Sequence, residues 1–221
     1  MVRHTEAARE RQALRPDVSR PRMKSHTSGD FVSTACAARV YRGACTGQVI
    51  FHENKSSSMK IYTAGPLGFS EAGRAFHAQM VAQLKELQHE VLDPWTYSPK
   101  AVMKVLAMPY GEARRKAWAK LNPKIGAANQ AMIDKADVIV AVLDGVDVDS
   151  GTAAEIGYGF AKGKTIIGYR GDFRIAAENE GCTVNLQVEY FIRKSGGTIV
   201  TAIADLPKAL SKAAKKGAAG K

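Results

Sequence analysis

Residues 137–163, DVIVAVLDGVDVDSGTAAEIGYGFAKG, contain the clearest structural pattern in the chain. Six apolar residues follow the opening aspartate, which predicts a strand at 137–143 that is buried on both faces. A loop with several aspartates follows at 144–149, and residues 150–162 then have the pattern of a helix. A buried strand followed at once by a helix indicates a parallel sheet, because parallel strands are joined by helical crossovers.

The same alternation of short apolar runs and helical patterns extends through residues 59–212. It predicts an α/β fold in which helices cover both faces of a five-stranded parallel sheet, with right-handed crossovers. Ligands of such sheets bind beyond the carboxyl ends of the strands, which selects the loops at 65–69, 93–95 and 144–155. The other predicted strands span 60–64, 90–92, 164–169 and 198–203, the other helices span 70–89, 127–135, 185–194 and 205–216, and residues 96–124 are predicted to be an irregular basic loop with one or two helical pieces.

Both ends of the chain differ from this pattern. Residues 1–58 begin Arg-rich without helical or strand periodicity and end in the linker-like HENKSSS at 52–58. We therefore predict that the folded domain spans 59–212. Residues 1–58 are predicted to be a disordered N-terminal extension or an upstream mis-assigned start, and residues 213–221 a basic, solvent-exposed tail.

The composition excludes several classes of protein. The chain has 221 residues, 45% of them hydrophobic and 24% charged, which is enough to build a core and too apolar for a wholly disordered chain. No run approaches the roughly 18 apolar residues of a membrane span. The three cysteines form no CxxC pair, which favours a reducing cytoplasm. Neither they nor the five scattered histidines indicate a metal site.

The net charge of +11 invites a nucleic-acid interpretation, but its distribution argues against one. The excess lies mostly at the two ends, in residues 1–58 and in the four lysines of residues 211–221. Basic tails of this kind are usually solvated and aid solubility. No RNP, helix-turn-helix or zinc-finger pattern accompanies the charge, so nucleic-acid binding is not expected as the main function.

The acidic residues of the loop at 144–155 have two interpretations. In the first they cap the helix: Thr152 and Glu155 match the capping box, and Asp147 and Asp149 complement the helix dipole. In the second Glu155 is a nucleophile, because a carboxylate near a helix N-terminus stays ionised and can attack an electron-poor sugar carbon. The acids lack the spacing of a calcium loop, so a metal site is not favoured.

The loop after the first strand also lies at the predicted ligand edge. It does not match the GxGxxG pattern, so it is a weak phosphate-binding motif. Gly65 suits a tight turn that lets a ligand approach the backbone. Tyr62, at the end of the strand, is either part of the core or a phenol that reaches the edge of the sheet.

Several segments together resemble the nucleoside 2-deoxyribosyltransferase family, over roughly residues 59–210. The resemblance implies a flavodoxin-like fold and a two-step transfer of 2-deoxyribose between purine or pyrimidine bases, without a cofactor. It also implies three partners: a 2′-deoxynucleoside, a free nucleobase and further copies of the chain in a homo-oligomer, dimeric or larger. The resembling segments are KIYTAGPLGFSEAGRAFH (60–77), ANQAMIDKADVIVAVLDG (128–145), DVDSGTAAEIGYGFAKGK (147–164) and VNLQVE (184–189).

The resemblance assigns roles to individual residues. Glu155 matches the nucleophile that forms a covalent 2-deoxyribosyl ester, and Tyr62 matches the tyrosine that orients it. Asp149 matches the aspartate that binds the sugar hydroxyls. Asn185 resembles the asparagine that a neighbouring subunit contributes to the 5′-hydroxyl.

The base end of the site is less complete. Family members place base-contacting residues near the end of strand two, here Asp93, Pro94 and Trp95. Phe69 and Trp95 supply an apolar wall that keeps water from the intermediate. Asn129 stands where some members carry the aspartate that protonates the leaving base, and an amide has no carboxyl proton to donate. Either Asp93 or water supplies that proton, or Asn129 hydrogen-bonds the base.

Two other functions remain open. A hydrolase of 2′-deoxynucleoside 5′-monophosphates would use the same Glu155, but it needs a phosphate nest where Pro66 and Leu67 stand, although Ser70 and Arg74 are nearby. A nucleotide-sensing or nucleic-acid-associated module without catalysis, with the basic tails as its contact surface, would make Glu155 a helix cap only.

Other polar residues are given ordinary structural interpretations. His77 and His89 are expected to be surface or packing residues. Arg170, Asp172 and Arg174 follow the fourth strand, where they rim a neighbour's site or are simply solvated.

Overall fold

The computed structural model describes residues 58–219, and within them five strands form a wholly parallel sheet. The strands are β1 (Lys60–Ala64), β2 (Glu90–Leu92), β3 (Val138–Val142), β4 (Thr165–Tyr169) and β5 (Ile199–Val200). Their order is β2-β1-β3-β4-β5, the doubly wound order of flavodoxin-like proteins. The predicted fold class is confirmed.

β3 is the central strand, and all five of its residues are buried as the sequence predicted. It pairs with β1 from Ile61 opposite Val138 to Ala64 opposite Ala141, and with β4 on its other side. Because the strands are parallel, their carboxyl ends meet at one edge of the sheet. The loops that follow β1, β2 and β3 are therefore neighbours.

Helices cover both faces of the sheet, because alternate strand residues point to opposite faces. Ile61 and Val140 pack with the helices on one face, and Tyr62 and Ile139 with those on the other. The helices are α1 (Glu71–Glu86), α2 (Pro99–Leu106), α3 (Glu112–Lys135), α4 (Ser150–Ala161), α5 (Leu186–Lys194) and α6 (Leu206–Ala219). The first face carries α1 and α6, and the second carries α3, α4 and α5.

Residues 96–124 are more regular than predicted. They contain α2 and the first half of α3, and the helix predicted at 127–135 is the C-terminal part of α3. Pro123 lies inside this 24-residue helix, where it removes one backbone hydrogen bond without ending the helix. Ile133 is buried against the sheet and anchors the far end of α3.

The end of the chain is also more regular than predicted. α6 continues to Ala219, and Ala213 is buried in the core, so the fold passes the predicted boundary at residue 212. β5 is shorter than the strand predicted at 198–203. The predictions for residues 1–57 lie outside the described residues. Across residues 58–219, no helix combines the length and the apolar character needed to cross a membrane.

Candidate active site

A cavity of about 1160 Å³ opens at the carboxyl edge of the sheet, where the sequence predicts a ligand site. Its walls come from the loops after β1 and β2, from α2 and α3, and from the first turns of α4. Seven of the nine predicted site residues line it: Gly65, Phe69, Asp93, Trp95, Asn129, Asp149 and Glu155.

Glu155 lies in the second turn of α4 and faces the cavity. Its Oε1 accepts a hydrogen bond from Tyr62 Oη at 2.6 Å and one from Asn129 Nδ2 at 3.4 Å. The Tyr62 ring is fully buried on β1, so the core fixes the direction of its hydroxyl group. Both interpretations of Tyr62 are therefore correct: the ring belongs to the core, and the phenol reaches the edge of the sheet.

The predicted capping box is wrong. Asp149 caps α4, with its Oδ2 accepting hydrogen bonds from Thr152 N at 2.9 Å and Thr152 Oγ1 at 3.1 Å. The cap residue therefore lies three positions before Thr152, and Glu155 is too far into the helix to fold back on it. Its carboxylate faces Tyr62 instead, which leaves it available to a ligand.

Burial raises the pKa of Glu155 above the ordinary value of a glutamate, and the charge of Asp149 acts in the same direction. The hydrogen bonds from Tyr62 and Asn129 oppose this rise, because they stabilise the ionised carboxylate. The pKa of Tyr62 is raised strongly, by burial first and then by the adjacent carboxylate. Tyr62 thus keeps its proton and remains a hydrogen-bond donor to Glu155.

Two glycines give the first loop its shape. Gly65 has a φ of 153°, and a Cβ there would lie 3.0 Å from Val142 Cβ. A Cβ on Gly68 would lie 2.1 Å from the Trp95 ring, so the absence of a side chain at 68 makes room for the indole. Phe69 contacts the same indole edge-on, with ring centroids 4.8 Å apart. The predicted aromatic wall is therefore assembled from two loops.

Asp93 lies beside this wall and is held from two sides. Its Oδ1 accepts a hydrogen bond from Trp95 N at 2.9 Å and lies 3.0 Å from His77 Nε2. Burial acts to raise the pKa of Asp93, but the contact with His77 and the Trp95 N–H lower it below the usual value. An ionised carboxylate has no proton to give, which argues against Asp93 as the proton donor.

Asn185 does not line the cavity. It caps α5, with Oδ1 accepting hydrogen bonds from the backbone of Gln187 at 3.0 Å and Val188 at 3.3 Å. Its Nδ2 donates to Glu178 Oε1 at 2.6 Å. A role for Asn185 in the site of a neighbouring copy stays a prediction.

The sequence analysis missed the outer wall of the cavity. Apolar and polar side chains of α2 and α3 form it, in the segment predicted to be mostly irregular. The repeated apolar positions at 102, 105 and 106 are the pattern that indicates α2. The missed lining residues include Val102, Met103, Leu106, Trp118, Asn122 and Ile125.

The arginine and histidine side chains outside the cavity have structural roles. Arg170 is fully buried, and its guanidinium donates to the backbone carbonyls of Leu143, Gly145 and Arg174. Arg170 therefore neither rims a neighbour's site nor is solvated, because burial requires it to pair with those carbonyls. His89 is also buried and accepts a hydrogen bond from the Met59 backbone at 3.4 Å, as a packing residue would.

The other two charged residues after β4 pair with each other. Asp172 and Arg174 form an ion pair in which the guanidinium also donates from Nε at 2.9 Å. This pair lies at the surface, and neither residue lines the cavity. Within residues 58–219, no group of three or more His, Cys, Asp or Glu side chains is placed to hold a metal ion.

The fold and the cavity define the class of protein: a flavodoxin-like α/β protein with a carboxylate directed by a tyrosine at the ligand-binding edge of the sheet. The family model for nucleoside 2-deoxyribosyltransferase matches residues 61–187, more than half of the chain. The protein belongs to the nucleoside 2-deoxyribosyltransferase family, as the sequence motifs predicted.

Three solved structures are similar to this chain, and the first, with a TM-score above 0.5, shares its fold. A conserved protein from Enterococcus faecalis V583 is 24% identical, with a TM-score of 0.53, over 71% of this chain and 99% of that one. A 2-desoxiribosyltransferase from Leishmania mexicana is 23% identical, with a TM-score of 0.48, over 71% and 97%. A 2-deoxyribosyltransferase from Bacillus psychrosaccharolyticus is 21% identical, with a TM-score of 0.47, over 66% and 89%. No curated protein matches the chain.

Proposed function

We propose that this protein transfers 2-deoxyribose from a 2′-deoxynucleoside to an acceptor purine or pyrimidine base through a covalent ester on Glu155. The observation that carries the proposal is the Glu155 carboxylate, which faces the cavity and is held by Tyr62 at 2.6 Å. Membership of the family supports deoxyribosyl transfer as the type of activity.

The geometry around Glu155 suits nucleophilic attack. Both of its hydrogen bonds converge on Oε1, which leaves Oε2 for the sugar. Attack of Oε2 on the anomeric carbon forms the ester bond as the bond to the base breaks, and the base leaves with the electron pair and takes up a proton. The acceptor base then attacks the anomeric carbon from the face opposite Glu155 and loses its N–H proton, while the ester bond breaks and releases Glu155; the two inversions together retain the configuration.

The walls of the cavity favour transfer over hydrolysis. Phe69, Trp95 and Trp118 line it with aromatic surface, on which a flat base can stack. A base bound there excludes water from the ester. Asn129 has no carboxyl proton and Asp93 is ionised, so water remains as the proton source for the leaving base.

A covalent adduct tests the nucleophile. The protein is incubated with a 2′-deoxynucleoside without acceptor, and the peptide that contains Glu155 is examined by mass spectrometry for a deoxyribosyl adduct. Glu155→Gln, which keeps the shape of the side chain, should carry no adduct and no exchange activity. Exchange at the wild-type rate in Glu155→Gln would overturn the proposal.

We further propose that Asn185 of one copy completes the site of another, in a homo-oligomer. Asn185 lies outside its own cavity, so it needs a second copy to reach a substrate. Mixing two inactive variants, Glu155→Gln and Asn185→Ala, should restore part of the activity, because hybrid assemblies then contain intact sites. Full activity of Asn185→Ala alone would contradict a shared site.

A second candidate, hydrolysis of 2′-deoxynucleoside 5′-monophosphates, is favoured by one observation. Arg74 lines the cavity, and its guanidinium is a permanent cation that suits a phosphate. Release of deoxyribose 5-phosphate from a monophosphate without an acceptor base would support the hydrolase. Exchange of bases between unphosphorylated deoxynucleosides without free sugar would support the transferase.

A further inference from the structure

One carboxylate oxygen of Asp93 contacts polar groups of the protein, and the other does not. Oδ1 accepts a hydrogen bond from Trp95 N at 2.9 Å and lies 3.0 Å from His77 Nε2. Oδ2 has neither a hydrogen bond nor an ion pair among residues 58–219. Asp93 lines the same cavity as Glu155, and also a smaller one beside His77 and Lys85, so a ligand in the larger cavity lies next to this carboxylate.

The charge of this carboxylate is set by its neighbours. His77 is buried in α1, next to Asp93. The pKa of Asp93 lies below its usual value: burial acts to raise it, and this effect is outweighed by His77, the Trp95 N–H and the charge of Lys85. At neutral pH, Asp93 therefore accepts hydrogen bonds and cannot donate them.

The position of Asp93 points to the base rather than the sugar. The sugar end of the cavity is marked by Glu155 and Asp149, whereas Asp93 adjoins the aromatic wall of Trp95 and Phe69. An ionised carboxylate oxygen is a strong hydrogen-bond acceptor. A base that stacks on this wall supplies a donor to Oδ2 when it carries an exocyclic amino group.

We propose that Asp93, positioned by His77, accepts a hydrogen bond from the exocyclic amino group of the base, so that the site selects amino-substituted bases over their oxo counterparts. The inference rests on the proposed function, because it assumes that the cavity binds a nucleobase. We therefore expect adenine to bind more tightly than hypoxanthine, and cytosine more tightly than uracil. When the oxo base keeps the orientation of the amino base, a carbonyl takes the place of the amino group, and two acceptors then oppose each other without a proton between them.

The preference is measured by the binding of free bases, which needs no sugar transfer. Isothermal titration calorimetry gives the dissociation constants of adenine, hypoxanthine, cytosine and uracil. We expect the amino base of each pair to bind about 10- to 150-fold more tightly, the range for a hydrogen bond to a charged group. Equal affinities within both pairs in the wild-type protein would overturn the proposal.

Substitution of Asp93 tests whether this residue causes the preference for amino bases. Asp93→Asn offers an amide that both donates and accepts. The ratio of the affinities of the amino base and its oxo counterpart should therefore fall to about one or reverse. Asp147→Asn is the matched control: Asp147 is exposed and outside the cavity, and its variant should keep the wild-type ratio. An unchanged ratio in Asp93→Asn refutes the role of Asp93.

His77 is tested as a positioning residue by the same ratio. His77→Ala removes the contact to Asp93 and should reduce the preference for amino bases, whereas His77→Gln restores an N–H donor and should recover part of it. A merely structural role would lower stability without changing the ratio within a pair. Wild-type selectivity in His77→Ala would remove His77 from the proposal.

The outcomes separate this inference from the proposed function. A protein that prefers adenine to hypoxanthine but never exchanges deoxyribose would refute the transferase and leave the base preference standing. A protein that exchanges deoxyribose without preferring amino bases would refute the base preference and leave the transferase standing.

Discussion

Removal of the Tyr62 hydroxyl is the most direct test of the site. Tyr62→Phe deletes one oxygen and keeps the ring, which is fully buried, so the core stays packed. The variant loses a 2.6 Å hydrogen bond to a carboxylate, a class of bond worth about 1.5–3 kcal/mol. If that energy holds Glu155 in its reactive form, turnover falls by about 10- to 150-fold, at roughly 1.4 kcal/mol for each factor of ten.

The pH dependence should change in the same variant. The phenol opposes the effect of burial on Glu155, so its loss raises the pKa of Glu155 further. The acid side of the pH–activity profile then moves to higher pH, because attack requires the ionised carboxylate. A ¹³C NMR titration of the Glu155 side-chain carboxyl measures the same change in pKa in the absence of substrate.

Tyr158→Phe is the matched control. Tyr158 also donates to a carboxylate, Asp134 Oδ1 at 2.8 Å, but that pair lies at the surface. Its loss should leave both the turnover and the Glu155 titration unchanged. A Glu155 midpoint that stays constant or falls in Tyr62→Phe would refute the reasoning, as would full turnover in a folded variant.

Three other substitutions test the site and its support. Glu155→Gln should abolish transfer and stabilise the fold. At pH values below the ordinary pKa of 4.5 the carboxyl is protonated in both the folded and the unfolded wild type, and the two proteins should match in stability. As the pH rises from there to the raised pKa of the folded state, the wild type loses about 1.4 kcal/mol of stability for each pH unit, as melts at pH 4 and pH 8 would show. Gly68→Ala places a Cβ 2.1 Å from the Trp95 ring, which should displace the indole, raise KM for the base and cost about 1–3 kcal/mol in urea unfolding. Arg170→Met leaves buried carbonyls without a donor, and we expect a loss of about 1–3 kcal/mol per unpaired group by the same method.

Each of these has a contradicting outcome. A Glu155→Gln protein that is less stable than the wild type at pH 8 would mean that the ionised carboxylate stabilises the fold. Unchanged KM and tryptophan fluorescence in Gly68→Ala would show that the indole does not depend on that space. Wild-type stability of Arg170→Met would mean that water replaces the guanidinium.

The strands were predictable because their pattern is local. The runs at 60–64 and 90–92 match the observed strands at both ends, since glycine, proline and polar residues bound them. α3 was not predicted as one helix, because Pro123 and the basic residues before it interrupt the apolar pattern. Packing of the buried Ile133 against the sheet, which is a tertiary contact, outweighs that local disadvantage.

Part of the candidate site was predictable, because the motif offers a single residue of the required type at each of two positions. Glu155 and Tyr62 could be chosen from the motif, and the structure brings them together. The helix cap was misplaced, because Asp149 and Thr152 are both good cap residues and only the docking of α4 decides between them. The contact between His77 and Asp93 joins a helix to a loop 16 positions later in the chain, and no periodicity indicates such a pair.

The outer wall of the cavity has a consequence for engineering. Met103 and Leu106 of α2 are 63% and 47% exposed, and both line the cavity without belonging to the core beneath the sheet. Substitutions at these two positions therefore alter the shape of the cavity at little cost to folding. A library that varies only this helix would reshape the entrance to the cavity while Glu155 and the scaffold stay untouched.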